Sequence, residues 1–197
     1  MPACVTPSRP ATGTPVLPRL LGAVALAMAL CSQAAEPTLR DQIAANLVVP
    51  AEQRFAGTRW DHPPEIVALY FGAAWCGPCH AFTPELKAIR AALQQAGADT
   101  EVVYVSLDES EGEMRRYMRA QQMPWPGIDY RRLAHLPAIR RLGGLAPPNL
   151  VLVDRQGTVL ASGWEGRRYR GLQPVLQEWM TRLSAPPSPL LRDSADE

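Results

Sequence analysis

Two cysteines, Cys76 and Cys79, are separated only by Gly77 and Pro78. A pair at this spacing can alternate between a dithiol and a disulfide, because the second sulfur lies one helical turn from the first. We interpret Cys76 as the attacking thiolate and Cys79 as the sulfur that resolves the mixed disulfide. Trp75 is expected to cover one side of this site. The spacing therefore predicts thiol–disulfide exchange.

The segments on either side of the cysteines predict how they are positioned. Residues 66–71 form a continuous apolar run, as in a strand buried on both faces, and a helical pattern continues after Cys79 to Gln95. A thiol at the start of a helix lies near unpaired N–H groups, which favour the thiolate and lower the thiol pKa. Pro78 is compatible with the first helical turn, whereas Pro84 is expected to kink the helix.

The rest of the chain predicts an α/β fold. Its central mixed sheet combines a parallel βαβ unit with an antiparallel hairpin, and helices flank it. Residues 35–64 are expected to hold a short helix near 39–47, then a strand or loop. The further predicted elements are a strand over 102–105, a helix from 110 to about 119, a short helix over 133–142, a hairpin formed by 150–153 and 158–161, and a helix over 172–183.

The N-terminus resembles a secretory signal peptide. Arginines precede an eleven-residue apolar run over 20–30, which is too short to span a bilayer, and small residues follow. We predict a signal peptide over 1–34 that is cleaved near Ala34, and hence a periplasmic or secreted protein without a stable membrane span. An uncleaved membrane anchor and a lipid at Cys31 are the alternatives. The predicted organisation continues with an N-terminal extension (35–64), one domain (65–183) and a disordered tail (184–197).

Composition and charge limit the function classes. A net charge of +1 gives no basic surface for nucleic acid, so no nucleic-acid partner is expected. After cleavage, the thiols and imidazoles are Cys76, Cys79, His62, His80 and His135, which form no second ligand cluster for structural zinc. We therefore expect no metal, and the exchange chemistry needs no cofactor.

The motif resembles the redox motif of the thioredoxin superfamily. Two longer strings are similar to its tryparedoxin and nucleoredoxin branch: Tyr-Phe-Gly-Ala-Ala-Trp-Cys-Gly-Pro-Cys-His-Ala-Phe-Thr-Pro-Glu-Leu over 70–86, and Val-Val-Tyr-Val-Ser-Leu-Asp-Glu over 102–109 followed by Met-Pro-Trp at 123–125. The resemblance covers about residues 65–165. It implies a thioredoxin fold and a thiol–disulfide oxidoreductase.

The resemblance also implies roles for other positions. Pro148 matches the cis-proline that faces the dithiol in the family, although Pro147 before it lacks the N–H with which relatives pair bound peptide. Pro147 as the cis residue is the lesser alternative. Tyr70 stands where thioredoxin carries a buried aspartate, so no buried carboxylate is identified as a proton acceptor for Cys79. Tyr70 and His80 are candidates for tuning a thiol pKa, and Glu85 is expected on a solvated helix face.

The expected substrates are disulfides of proteins or small molecules, and an unidentified electron-donor protein must return the enzyme to its dithiol form. Reduction or isomerisation is favoured over oxidation. Three alternatives remain for the cysteines: covalent c-type haem attachment through Cys76, Cys79 and His80 in an electron carrier, a non-catalytic binding module, and a purely structural disulfide.

Overall fold

The computed structural model describes residues 36–184. The predicted signal peptide, the alternative lipidation site and nearly all of the predicted tail lie outside these residues. The described helices are α1 (Leu39–Ala44), α2 (Gly77–Gln95), α3 (Glu111–Ala120), α4 (Tyr130–Leu133), α5 (Pro137–Arg140) and α6 (Gln173–Ser184), with a 3-10 turn at Arg141–Gly143. The strands are β1 (Leu47–Pro50), β2 (Phe55–Gly57), β3 (Ile66–Gly72), β4 (Thr100–Ser106), β5 (Gly127–Ile128), β6 (Asn149–Val153), β7 (Val159–Ser162), β8 (Trp164–Glu165) and β9 (Arg168–Tyr169).

Seven of the strands form one mixed sheet in the order β2-β1-β5-β4-β3-β6-β7. β3 is central and pairs in parallel with β4 and antiparallel with β6, while β7 extends the edge antiparallel to β6. All residues of β3 and β6 are buried, which explains the apolar runs over 66–71 and 150–153. The α/β class with a central mixed sheet is confirmed.

Two apolar clusters cover the two faces of this sheet. One contains both cysteines with Tyr70, Tyr104 and Trp179 of β3, β4 and α6. The other lies on the opposite face and includes Phe71 and Ile43. This alternation follows from strand geometry, in which successive side chains point to opposite faces, so Tyr70 and Phe71 contribute to different clusters.

The predicted elements differ from the structure in a few places. Helix α2 begins at Gly77, so Pro78 lies in its first turn as expected, and Pro84 lies inside the helix. The short helix expected over 133–142, with an interruption at Pro137, is instead two helices: α4 ends at Leu133, and Pro137 begins α5. The segment 35–64 contains α1 followed by β1, as expected, and also β2. Strand β5 and the β8–β9 hairpin were not predicted.

None of the helices in the described part of the chain is long and apolar enough to cross a membrane.

Candidate active site

The two cysteines lie where β3 leads into α2, and they form a disulfide with an S–S distance of 2.07 Å. Cys76 is the N-cap of α2, and its Sγ accepts a hydrogen bond from the N–H of Cys79 at 3.2 Å. The helix start therefore directs an N–H donor at the sulfur predicted to attack. Cys76 retains 4% exposure whereas Cys79 has none. The attacking role of Cys76 and the resolving role of Cys79 stay predictions.

Three neighbouring residues form the exposed surroundings of the disulfide. Trp75 is 62% exposed and directly precedes Cys76. Gly77 and Pro78 occupy the first turn of α2 and are also exposed. Proline is tolerated here because the first helical turn requires no N–H from it. The shielding role of Trp75 stays a prediction.

A cluster of buried hydroxyl groups lies beneath the resolving cysteine. The Tyr70 hydroxyl donates to the Cys79 carbonyl oxygen at 3.2 Å, and the Thr83 hydroxyl donates to the same oxygen at 2.9 Å. The hydroxyl oxygens of Tyr70 and Tyr117 lie 3.1 Å and 3.3 Å from Thr83 Oγ1. Burial raises the pKa of Tyr70 far above its usual value, so this phenol stays protonated and acts as a hydrogen-bond donor.

The structure contains a buried carboxylate that the sequence did not identify. Asp108 is 7% exposed, and its Oδ1 accepts a hydrogen bond from the main-chain N–H of Ala74 at 2.6 Å. Its Oδ2 accepts from the hydroxyls of Ser106 and Tyr104 at 2.7 Å and 3.4 Å. The sequence identifies no buried carboxylate as a proton acceptor for Cys79, and these contacts of Asp108 are to Ala74, Ser106 and Tyr104. Asp108 holds the loop that carries Trp75 and Cys76.

His80 contacts the same loop from α2. Its Nε2 lies 2.7 Å from the carbonyl oxygen of Ala74, and its Nδ1 lies 3.0 Å from Nε2 of Gln121. The neutral tautomer with hydrogen on Nε2 satisfies both contacts, with Gln121 donating to Nδ1. Both ring nitrogens are thus occupied by groups other than the cysteine sulfurs. Thiol tuning by His80 stays a prediction.

Pro148 lies in the loop that leads into β6, and the peptide bond between Pro147 and Pro148 is cis. This confirms the cis bond at Pro148 and excludes the alternative that Pro147 is the cis residue. Asn149 pairs with Phe71 near the end of β3. The proline loop and the loop carrying Cys76 consequently lie at the same end of the sheet.

The β8–β9 hairpin holds the proline loop in place. The Trp164 indole N–H donates to the carbonyl oxygen of Ala146 at 3.1 Å, and the Tyr169 hydroxyl donates to that of Pro148 at 3.2 Å. The two rings pack with their centroids 5.0 Å apart. The hairpin carried no local sequence signal strong enough to place it beside the site.

The other candidate residues do not converge on the cysteines. Glu85 is exposed and accepts a hydrogen bond from Gln173 Nε2 at 3.2 Å, as expected for a helix-face glutamate. His62 lies 3.6 Å from Asp99. Within residues 36–184, no group of three or more His, Cys, Asp or Glu side chains is arranged to hold a metal ion.

Comparison with known proteins finds similar sequences over the part of the chain that holds this site. Residues 64–159 match the family model described as Thioredoxin-like. Human nucleoredoxin is 35% identical over 95 residues, which cover 48% of this chain and 21% of that protein. Probable nucleoredoxin 1 of Arabidopsis thaliana is 39% identical over 97 residues, covering 48% of this chain and 16% of its own length. This chain thus spans about a fifth of the length of the nucleoredoxins it matches.

Solved structures show the same fold. Tryparedoxin I from Leishmania major superposes with a TM-score of 0.51 and 23% identity, covering 68% of this chain and 88% of that one. The thioredoxin fold is therefore confirmed. Residues 64–159 are therefore similar to the Thioredoxin-like family model, and the matched residues include the disulfide between Cys76 and Cys79.

Proposed function

We propose that this protein is an exported thiol–disulfide oxidoreductase that reduces or isomerises protein disulfides through Cys76 and Cys79. The observation that carries the proposal is the position of Cys76 at the start of α2. Its Sγ accepts the N–H of Cys79 and is bonded to the sulfur of Cys79, within a thioredoxin-like domain. Hydrogen bonding to the charged form of an acid lowers its pKa, so this geometry favours a thiolate in the reduced protein.

The reaction begins from the reduced protein. The Cys76 thiolate attacks one sulfur of the substrate disulfide, a new S–S bond forms, and the substrate's S–S bond breaks, releasing one thiolate that takes up a proton. Cys79 then loses its proton and attacks Cys76 Sγ, which releases the second substrate thiolate. This thiolate also takes up a proton. Two electrons thus pass from the protein to the substrate, one of the two protons comes from Cys79 and the other from solvent, and the protein is left with the Cys76–Cys79 disulfide.

The cycle is completed by an external dithiol that reduces this disulfide. We propose a protein as the donor, because an oxidising compartment would otherwise leave the pair oxidised. In isomerisation, a substrate thiolate attacks the substrate sulfur of the mixed disulfide before Cys79 attacks Cys76 Sγ. A new S–S bond forms within the substrate, the bond to Cys76 breaks and the Cys76 thiolate is released, so no net electrons are consumed.

Three neighbouring side chains support the cysteines in this proposal. Tyr70 remains a protonated donor at neutral pH because burial raises its pKa, so it fixes the Cys79 carbonyl and is not the base for the Cys79 thiol. Asp108 and His80 bind the N–H and the carbonyl of Ala74, respectively, and so hold the loop that presents Cys76.

The first experiment measures reduction of hydroxyethyl disulfide, with dithiothreitol as the donor. Wild-type protein is expected to accelerate the reaction, Cys76→Ser to abolish the acceleration, and Cys79→Ser to accumulate a mixed disulfide on Cys76 that mass spectrometry detects. The alkylation rate of reduced Cys76 should reach half its maximum at a pH below the ordinary thiol pKa of about 8.5. Alkylation that follows the ordinary thiol titration would contradict the proposal.

Two further measurements separate the alternatives. A Soret band in the visible spectrum of the purified protein would support covalent haem and contradict the dithiol function. If the protein binds disulfide-containing partners and Cys76→Ser does not change the rate of disulfide reduction, the protein is a binding module.

Export is proposed from residues 1–34 alone. Mass spectrometry of the protein recovered from outside the cytoplasm is expected to give an N-terminus near Ala34. An exported protein that retains Met1 would contradict cleavage, and protein found only in the cytoplasm would contradict export.

A further inference from the structure

A buried guanidinium group on α1 has no counter-ion. Arg40 is 7% exposed, and its Nη2 donates a hydrogen bond to the carbonyl oxygen of Pro64 at 2.5 Å. Its other terminal nitrogen, Nη1, is shielded from solvent and has no hydrogen-bond partner among residues 36–184. No carboxylate in these residues forms a salt bridge with Arg40. Because buried charges are ordinarily paired, this guanidinium is suited to bind an anion.

A second unpartnered donor lies on Trp60. The Arg40 guanidinium stands over the Trp60 ring, with its Cζ 5.5 Å from the ring centroid. The indole Nε1–H of Trp60 is also shielded from solvent and has no hydrogen-bond partner in the described part of the chain. A buried donor without an acceptor costs free energy, so an oxygen that accepts from either N–H would be favoured.

Both residues line one cavity beside α1. Its volume is about 190 Å³, and its other lining residues are Asp41, Ala44, Pro63 and Arg155. A water molecule takes up about 30 Å³ in the liquid, so the cavity has room for a ligand of about six non-hydrogen atoms. The Trp60 ring, Ala44 and Pro63 give this cavity apolar walls beside its donors.

The charges around the cavity favour a ligand with a single negative charge. Arg155 forms a salt bridge with Asp99 at 2.7 Å, which offsets its charge. Burial, and then the charge of Arg155, lower the pKa of Arg40, so an anion beside Arg40 would stabilise its charged form. The exposed carboxylate of Asp41 accepts hydrogen bonds from the N–H and the hydroxyl of Thr38 and disfavours a second negative charge on the ligand.

We propose that this cavity binds a small monocarboxylate, whose oxygens accept hydrogen bonds from Arg40 Nη1 and Trp60 Nε1. The apolar walls contact the rest of the ligand. Pro64, which Arg40 contacts, precedes β3, whereas Cys76 follows the other end of this seven-residue strand. At about 3.3 Å per residue, the cavity lies about 20 Å from the disulfide. The carboxylate site is therefore separate from the cysteine pair and does not depend on the proposed redox function.

The test ligand is butyrate, which has one carboxylate and a short apolar chain. The indole N–H signal of Trp60 in the proton–nitrogen NMR spectrum, identified by its loss in Trp60→Phe, should shift saturably with butyrate. A Kd on the order of 1 mM is expected for a ligand of this size. Sodium chloride at equal ionic strength should leave the signal in place. Butyramide, which lacks the charge, and phosphate, which carries more of it, should each bind at least about tenfold more weakly.

Two variants remove the proposed donors one at a time. Trp60→Phe keeps an aromatic ring under the guanidinium but has no N–H, and Arg40→Lys keeps the charge but has no Nη1. Each should raise the Kd for butyrate at least about tenfold, as measured from the increase in the thermal unfolding midpoint with butyrate concentration. Trp125→Phe is the matched control, because Trp125 Nε1 is also buried without a partner among the described residues but does not line this cavity. Its Kd should equal that of wild type.

Several results would overturn the carboxylate site. One is a Trp60 signal that does not move at about 50 mM butyrate, about fifty times the expected Kd. Another is binding of butyramide or phosphate as tight as that of butyrate. Equal weakening of butyrate binding in Trp60→Phe and Trp125→Phe would also contradict the proposal, and so would a Trp60→Phe protein that binds butyrate as wild type does.

Discussion

Two buried tyrosines beside the dithiol make the stability of this protein sensitive to alkaline pH. Tyr70 and Tyr104 are fully buried, with ring centroids 5.6 Å apart. Burial is the largest cause that raises the pKa of each phenol, and the charge of Asp108 raises that of Tyr104 further. Both phenols therefore stay protonated in the folded protein at a pH where they ionise in the unfolded chain.

The sign follows from proton binding. Above the ordinary tyrosine pKa of 10.0, the unfolded chain has lost protons that the folded protein retains, so the free energy of unfolding falls as pH rises. Each such group contributes about 1.4 kcal/mol per pH unit, and the pair therefore contributes about 2.7 kcal/mol per unit. Below the tyrosine pKa of the unfolded chain, both phenols are protonated in both states. Their contribution to the free energy of unfolding is then fully present and does not change with pH.

Tyr104→Phe isolates one of the two groups. Its hydroxyl makes a long contact of 3.4 Å with Asp108, so the substitution should cost about 0.5–1.5 kcal/mol at neutral pH. Above the ordinary tyrosine pKa, the free energy of unfolding of the variant should also fall less steeply than that of wild type, by about 1.4 kcal/mol per pH unit. The two stability curves are then expected to cross near a pH of about 11, where the variant becomes the more stable protein.

The assay is urea unfolding followed by tryptophan fluorescence, at a series of pH values from about 8 to about 11.5, with the disulfide intact. The difference between the two proteins is the quantity to measure, because the other titrating groups contribute equally to both. Tyrosinate absorbance at each pH gives an independent count of ionised phenols. Equal slopes for wild type and Tyr104→Phe would refute the conclusion that burial keeps this phenol protonated.

Three other substitutions test the surroundings of the site. Asp108→Asn removes the charge from a hydrogen-bonded carboxylate and should lower the free energy of unfolding by about 1–3 kcal/mol in urea, whereas the exposed control Asp61→Asn should change it by less than about 0.5 kcal/mol. Thr83→Val keeps the shape of a fully buried side chain but removes its hydroxyl, and a loss of about 1–3 kcal/mol is expected by thermal unfolding; an unchanged midpoint would show that the hydroxyl cluster contributes nothing. Gly144→Ala adds a Cβ only 2.2 Å from the Trp164 ring at a positive φ of 74°, so the hairpin must move and tryptophan fluorescence should change; a superimposable spectrum would contradict this.

The parts of the fold that could be predicted are those with long local patterns. Strands β3 and β6 are buried on both faces and carry long apolar runs. Ser110 caps α3, which has acidic residues in its first turn. The placement of Cys76 at a helix start follows from the change of pattern between β3 and α2. Each of these signals is contained within the element that it predicts.

The parts that could not be predicted depend on partners distant in sequence. Strand β5 has two residues, and it is a strand because Gly127 pairs with Tyr104 on one side and with Val48 on the other. The β8–β9 hairpin is equally short, and its place beside the proline loop depends on the hydrogen bonds of Trp164 and Tyr169. No window of the local sequence contains these pairings.

The contact of Asp108 with the active-site loop could not be predicted, because it depends on the register between β3 and β4 and the fold class does not determine that register. The parallel pairing of β3 with β4 could be predicted, but its register could not, and the register pairs Gly72 with Ser106. Ala74 and Asp108 each lie two residues beyond that pair, so the carboxylate meets the N–H of the active-site loop. A shift of one residue would turn the Asp108 side chain to the other face of the sheet. The buried carboxylate beside this loop thus comes from just beyond the end of β4, the strand next to β3.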